Sequence, residues 1–376
     1  MMRVLFLDLN REYMSPPPVC YRLLFAEATR TDFFGPGFVD AATLAKGVLS
    51  FVADRSYDFV VAGHKVLQSY EDDCSHIFAK RLNLRVEMAK LGEFYRTCQI
   101  SRLFIHDMDW YQVCPKFLEE LRKLEVRVIT NAGFDFLKSC DSPPSVGNQH
   151  DRFVNRATDN FRAFLREDRG REIPIPFFVL PHEIRWHPAS DRPWDVAIEG
   201  TSYLYRAAAL RAVQRYKEIK LNRSSRFKRL LLSVCLSKGR SRWSILMFNS
   251  MFAHRLEDAK VSFTCGSTLD YPVRKFFEIP ARGAALVCVP FCGFERLGFR
   301  HNLNCLTIKP EDTGVAVKEL LQNSTQLDRI AAAGRDLVRE HHSLGCRVQQ
   351  LRGVLAALRD GKYRGARWEE GKFILE

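Results

Sequence analysis

The chain contains no apolar run approaching the ~18 residues needed to cross a bilayer, so a helical membrane protein is not expected. Cysteine pairing of the zinc-binding kind is also missing. Cys288 and Cys292 form one C-x3-C pair and Cys74 lies two before His76, but neither has a second ligand pair, and no metal site is expected. Eleven cysteines, scattered and odd in number, do not make a disulfide framework and fit a reducing cytosol. MMRVLFLDLN reads as a strand rather than a cleavable signal. Repeats of solenoid length are absent, as is the interleaved basic-aromatic sheet pattern of RNA-binding modules. Acidic residues are nearly missing from one segment: between Arg206 and Arg242 stand twelve Lys/Arg and a single acid, Glu218. Such a patch suits phosphates, an anionic acceptor, a membrane surface or a nucleic acid, or is simply a solvated helix face with a basic loop.

What is present is a long alternation of strands and helices. At 376 residues, with 46% apolar and 27% charged residues, the chain is an ordinary globular protein of two-domain size. Strands are expected at 4–9, 57–64, 101–110, 126–130 and 175–181, with helices at 41–53, 116–124 and 156–166 and a loop running from the first strand through Gly35-Pro36-Gly37. Residues 185–193, RWHPASDRP, read as a linker, after which the pattern restarts. Strands follow at 194–199, 228–236, 260–265, 284–290 and 304–310, and helices at 204–219, 243–256, 314–323, 326–341 and 344–359. Apolar, β-branched strands alternating with helices predict parallel sheets covered on both faces. The fold class is α/β: two Rossmann-like, doubly wound domains at 1–187 and 188–343, with a helix and tail at 344–376 that return to the first. Ligands in such sheets bind beyond the carboxyl ends of the strands, so the two sets of strand-end loops should face each other across a cleft.

The densest signal is Cys265 to Gly283, CGSTLDYPVRKFFEIPARG, followed by the strand AALVCVP. It reads as a tight loop (Gly266, Ser267), a short helix with Pro272 in its first turn, and a buried strand. Asp270 and Glu278 lie eight residues apart, about two turns if one helix spans both. A helix start beside a Gly-Ser-Thr loop suits an anion, and the acceptors further along suit hydroxyls. Together they fit a molecule with a diphosphate at one end and a ribose at the other.

This segment resembles the donor-binding signature of GT-B glycosyltransferases of the group 1 type, in particular the branch similar to spore-maturation proteins. That branch reads roughly R/K-x-F-E-x-x-A-x-G, here Lys275, Phe277, Glu278, Ala281 and Gly283. VLPHEIRW and the following WDVAIEGT look like its interdomain crossing, and His342, Ser343 and Arg347 match its late H-S-x-x-x-R. The resemblance implies that Glu278 holds the donor ribose and that Asp270, one methylene shorter than the usual glutamate, lies near the transferred sugar. It implies phosphate contacts in the loop of Gly200, with Arg206 at a frequent Y-x-x-R position and Lys275 on the diphosphate. Arg206 lies in a first helical turn, where a cation is disfavoured unless an anion is near. Arg274 and the loop cations Lys238, Arg240 and Arg242 are further donor candidates.

On the acceptor side, Gly35 and Gly37 let the backbone approach a ligand or form a tight turn. His64 and His106 each end a strand, as structural residues or as groups near the acceptor, with Asp107 or Asp109 beside His106 to orient a hydroxyl or take its proton. The expected function is transfer of a sugar from a nucleotide-sugar donor to a glycan, lipid-linked or protein acceptor. By resemblance it is retaining, needs no metal and holds no cofactor beyond the substrate. A cytoplasmic location, with peripheral contact at a membrane, fits the basic surface, and no nucleic-acid partner is expected. A polyanion-binding Rossmann-like module and a transferase-like protein without activity remain the alternatives.

Overall fold

In the computed structural model, which describes residues 1–8, 10, 16–63, 88–100, 102–106, 115–124, 126–131, 133, 136, 159–200, 204–222, 242–266 and 271–376, alternation along the first strand sets the layers. Val4 and Phe6 enter one buried cluster, and Leu5 and Leu7 enter another on the opposite face. The first part of the chain runs β1 (Arg3–Leu7), α1 (Pro16–Ala28), β2 (Arg30–Phe34), α2 (Ala41–Val52), β3 (Phe59–Gly63), α3 (Met88–Thr97), β4 (Leu103–His106), α4 (Pro115–Lys123), β5 (Arg127–Thr130), α5 (159–167) and β6 (Glu172–Pro174). Its six strands form one parallel sheet in the order β2-β1-β3-β4-β5-β6.

The second part runs β7 (Trp194–Ala197), α6 (Leu204–Gln214), β8 (Leu221–Asn222), α7 (Arg242–Glu257), β9 (Ala259–Thr264), α8 (Lys275–Ala281), β10 (Ala285–Cys288), β11 (Leu306–Thr307), α9 (Thr313–Gln322), α10 (Ser324–His341) and α11 (Leu344–Arg359). Its described strands form a second parallel sheet in the order β11-β10-β9-β7-β8. In both sheets the strand order reverses beside the first strand, between β1 and β3 and between β7 and β9. Such reversals open a crevice at the carboxyl ends. Phe136, just beyond β5, meets Phe291, just beyond β10, with ring centroids 6.3 Å apart, so strand-end loops of the two sheets do face one another.

The doubly wound α/β class is as the sequence predicts, but several elements differ. The expected loop after β1 contains α1 and β2. Its prolines at 16–18 open α1, because a helix tolerates proline in its first turn, where the N–H has no intrahelical acceptor. β2 was hidden because it is an edge strand with an exposed Arg30 and no clean alternation. The expected strand at 175–181 is instead β6 at Glu172–Pro174. Prolines at 174, 176 and 181 remove ladder donors, and Val179 makes only a single bridge, to Ser343. Helix α6 stops at Gln214, short of the expected Ile219. The expected strand at 228–236 lies outside the described residues.

The chain's end returns to the first sheet. Arg352 donates to the carbonyls of Glu27 (2.6 Å) and Ala28 (3.0 Å), satisfying the last turn of α1. A closing hairpin, β12 (Ala366–Glu369) and β13 (Lys372–Leu375), drops Trp368 into the core, where its indole N–H donates to Pro174 O at 2.9 Å. The H-S-x-x-x-R motif is the clasp of this return. Arg347 is wholly buried, donates to Pro176 O (3.3 Å) and His341 O (2.9 Å), and lies 4.5 Å over the Trp368 ring. Burial, with Arg347 beside it, holds the His342 pKa well below its ordinary value. The neutral ring accepts from Arg347 at Nδ1 (2.8 Å) and so donates from Nε2 to Leu297 O (2.8 Å).

Arg347→Ala strands those acceptors and opens space beneath Trp368. It should lower the unfolding free energy by roughly 2–4 kcal/mol. Denaturant titration measures this, and a change near zero would contradict the clasp.

Candidate active site at the second strand-order reversal

β7 ends at Ala197 and delivers Glu199 and Gly200 to the crevice beside Cys265 and Gly266, which follow β9. Gly200 sits at φ +105°, and a Cβ there would lie 2.5 Å from Lys275 Nζ and 3.0 Å from Arg206 Nη1. Both cations therefore converge on this glycine, one from the first turn of α6 and one from the start of α8. A side chain at position 200 would push them away, and its absence leaves bare backbone beneath two positive charges.

The pair is costly in isolation. Arg206 is only 3% exposed. Burial, and then the Arg206 charge, bring the Lys275 pKa down to about 8, and the ammonium lies 5.5 Å over the Phe252 ring. One carboxylate balances the cluster in part: Glu199 accepts from Arg255 Nη1 at both oxygens, 3.0 Å each. Burial raises the Glu199 pKa, and Arg255, Lys275 and Arg206 act against the rise. Among the described residues, Arg206, Lys275 and Arg255 gather around Glu199, with Glu278 one turn further along α8.

The signature segment is organised differently from the expectation in one respect. A single helix does not span 270–278: α8 begins at Lys275, and Pro272 belongs to the turn before it, where Tyr271 N–H donates to Gly266 O at 3.1 Å. With seven residues, α8 contributes little axial dipole, so the cations must do the work assigned to a helix start. Arg274, expected on the donor, points into the protein. It is 6% exposed and paired with Glu278 and with Glu183. Glu278 is 6% exposed, not in bulk solvent, and sits where α8 meets the linker and α1. Gly283, the last residue of the motif, sits at φ +75°, and a Cβ there would meet Arg192 Nη2 at 2.6 Å.

Other predicted residues are only partly located. Gly35 and Gly37 form the turn after β2, both at positive φ, and Asn10 donates to Gly37 O at 3.0 Å. His106 closes β4, in register with Gly63. Arg242 opens α7. His64, Asp107, Asp109, Thr201, Lys238, Arg240, Ser267 and Asp270 lie outside the described residues. The sequence reading missed Glu199, Arg255, Phe252 and Glu183. It also missed Asp8, a buried carboxylate at the first reversal that a Cβ on Gly63 would strike. The signal available for Glu199 and Asp8 was an acid just beyond a buried strand. For Arg255 and Glu183, whose partners lie 56 and 91 residues away, there was none.

Residues 206–353 match the family described as "Glycosyl transferase-like", which is less than half of the chain. No curated protein sequence matches. Among solved structures, Alr3699/HepE of Anabaena in complex with UDP-glucose is 13% identical, covering 95% of this chain and 100% of that one with a TM-score of 0.55. The sucrose-phosphate synthase of Thermosynechococcus elongatus is 10% identical, covering 96% and 100% with a TM-score of 0.51. The fold is that of GT-B glycosyltransferases. No helix among the described residues is long and apolar enough to cross a membrane.

The depressed Lys275 pKa has a consequence for stability. The folded value is about 8 and the unfolded value is that of an ordinary lysine, so between them the unfolded chain binds more protons and stability rises with pH. Lys275→Met should abolish this rise and, near pH 7, raise the unfolding free energy by about 1 kcal/mol. Thermal melts of both proteins from pH 7 to 10 measure it. A variant less stable than wild type at pH 7 would contradict the account of a repelled, desolvated ammonium.

Proposed function

We propose that this chain is a nucleotide-sugar-dependent glycosyltransferase. One observation carries the reading: Arg206 and Lys275 converge over the bare backbone of Gly200 at the reversal between β7 and β9. Two desolvated cations beside a side-chain-free backbone match the needs of a leaving diphosphate, whose negative charge grows as the sugar–phosphate bond breaks. In this reading Arg206 and Lys275 bind the diphosphate, with Arg255 supporting the field through Glu199. Glu278 accepts from the donor ribose and Asp270 lies near the transferred sugar. Gly200, Gly266 and Ser267 give the donor close approach to the backbone, and Lys238 and Arg242 are further donor contacts.

The acceptor is a glycan, a lipid-linked molecule or a protein held from the first sheet, near Gly35, Gly37, His64 and His106, with Asp107 as an orienting carboxylate. HepE binds UDP-glucose on a similar fold, which supports a sugar diphosphate as donor class. The resemblance of the signature to the spore-maturation-like branch supports retention of configuration without a metal, the two cations standing where other transferases use one. Protons enter the binding step. An anion between Arg206 and Lys275 raises the lysine pKa, so the complex holds a proton that the free protein loses above about pH 8.

Thermal shift with UDP, GDP and ADP tests the reading, because a ligand of the folded state raises the melting temperature, by several degrees at a hundredfold excess over Kd. One of the three should stabilise the protein at pH 7 and less so at pH 9. Glu278→Ala should fold and lose donor turnover by 100-fold or more. Stabilisation by none of the nucleotides, with polyanion binding that weakens steeply in salt, would favour a polyanion-binding module instead.

A further inference from the structure

Glu278 does not stand alone on α8. Its Oε1 accepts from Arg274 Nη1. The other arm of that guanidinium, Nη2, donates at 2.5 Å to Oε2 of Glu183, in the segment that leads from the first sheet to the second. Glu183 is itself fixed. Its Oε2 accepts the Leu180 N–H at 2.8 Å, and its Oε1 lies 3.4 Å from Arg282 Nη2. Arg282 closes on Glu257, and Arg185 N–H donates to Ala281 O at 2.8 Å, so the linker grips α8 at both ends. Glu183, Arg274 and Glu278 are each about 5–6% exposed. Burial works to raise the Glu183 pKa, but Arg274, the Leu180 N–H and Arg282 outweigh it and pull the carboxyl below its ordinary range.

A core built for stability alone has little use for this chain, because well-packed apolar residues generally do as well as a buried ion pair. What the chain does supply is direction. One oxygen of Glu278 is held by Arg274, and Oε2 has no hydrogen bond among the described residues. A carboxylate free at both oxygens would rotate, whereas one held at a single oxygen presents the other in a set orientation.

We propose that Glu183 and Arg274 are positioning residues for the donor site: the linker carboxylate locks the guanidinium, and the guanidinium locks Glu278 with one oxygen presented to the ribose. This rests on the reading of Glu278 as the ribose acceptor. Arg274 thereby leaves the set of direct donor contacts, and Glu183 enters the machinery from outside the signature.

The test separates positioning from simple stabilisation by measuring discrimination between sugars of the nucleotide. Affinities of UDP and 2′,3′-dideoxy-UDP, with GDP and its dideoxy form in parallel, are measured calorimetrically on the full chain. Wild type should favour the ribonucleotide by tenfold or more. Glu183→Gln should lose most of that preference while its affinity for the dideoxy nucleotide changes less than twofold. Arg274→Lys, which keeps the charge but not the two-armed geometry, should do the same if Glu183→Gln proves unstable. In the background of Glu278→Ala neither change should have a further effect. Unaltered ribose preference in a folded Glu183→Gln or Arg274→Lys protein would overturn the proposal while leaving the donor site standing. A wild type that binds the nucleotides without ribose preference would overturn the ribose role of Glu278, and the proposal with it.

Discussion

Two positive charges held together out of water are the constraint around which the second half of this molecule is arranged. Arg206 and Lys275 come from different helices, after different strands, and both close on Gly200. Like charges brought together in a medium less polarisable than water repel more strongly than they do in solvent. The fold must hold them there, through the packing of α6 and α8 on a sheet whose strand order reverses between them. Gly200 is part of the same constraint, because any larger residue would part the cations. The depressed Lys275 pKa is the titration signature of this arrangement, and an anion placed between the groups would relieve it.

A second layer of charge surrounds the first and is balanced. Glu199 with Arg255, and the run from Glu183 through Arg274 to Glu278, pair each buried ion with a partner. The contrast is informative. Those pairs orient their neighbours, whereas Arg206 and Lys275 bring two like charges to one glycine. The distinction also explains why adjacent residues of the signature have opposite fates. Arg274 is consumed internally and Lys275 faces the crevice, although either cation could satisfy a sequence pattern.

Much of the architecture was legible because strand and helix periods are local. Val4 to Leu7 announce a strand buried on both faces, and Leu344 to Arg359 a helix with apolar residues on its inner side. Elements whose residues contradict their local preference were not legible. Three prolines open α1, an edge strand without alternation forms β2, and prolines end β6 early. The convergence of Arg206 and Lys275 was approachable from motif positions, since each lies at the start of the helix that follows a strand. The ion pairs that organise the site were not, since Glu183–Arg274 and Glu199–Arg255 join residues 91 and 56 apart and carry no local pattern. The clasp of His342 and Arg347 is a further case. The motif was visible, but its role in tying the chain's end to the first sheet depends on Pro176 and Trp368, far away in sequence.

The most direct measurement is a crystal structure of the protein grown with the nucleoside diphosphate that stabilises it best. The account predicts the β-phosphate seated above Gly200, within hydrogen-bonding distance of both the Arg206 guanidinium and the Lys275 ammonium. Density for the nucleotide elsewhere on the molecule, with these two cations still facing an empty crevice, would contradict it.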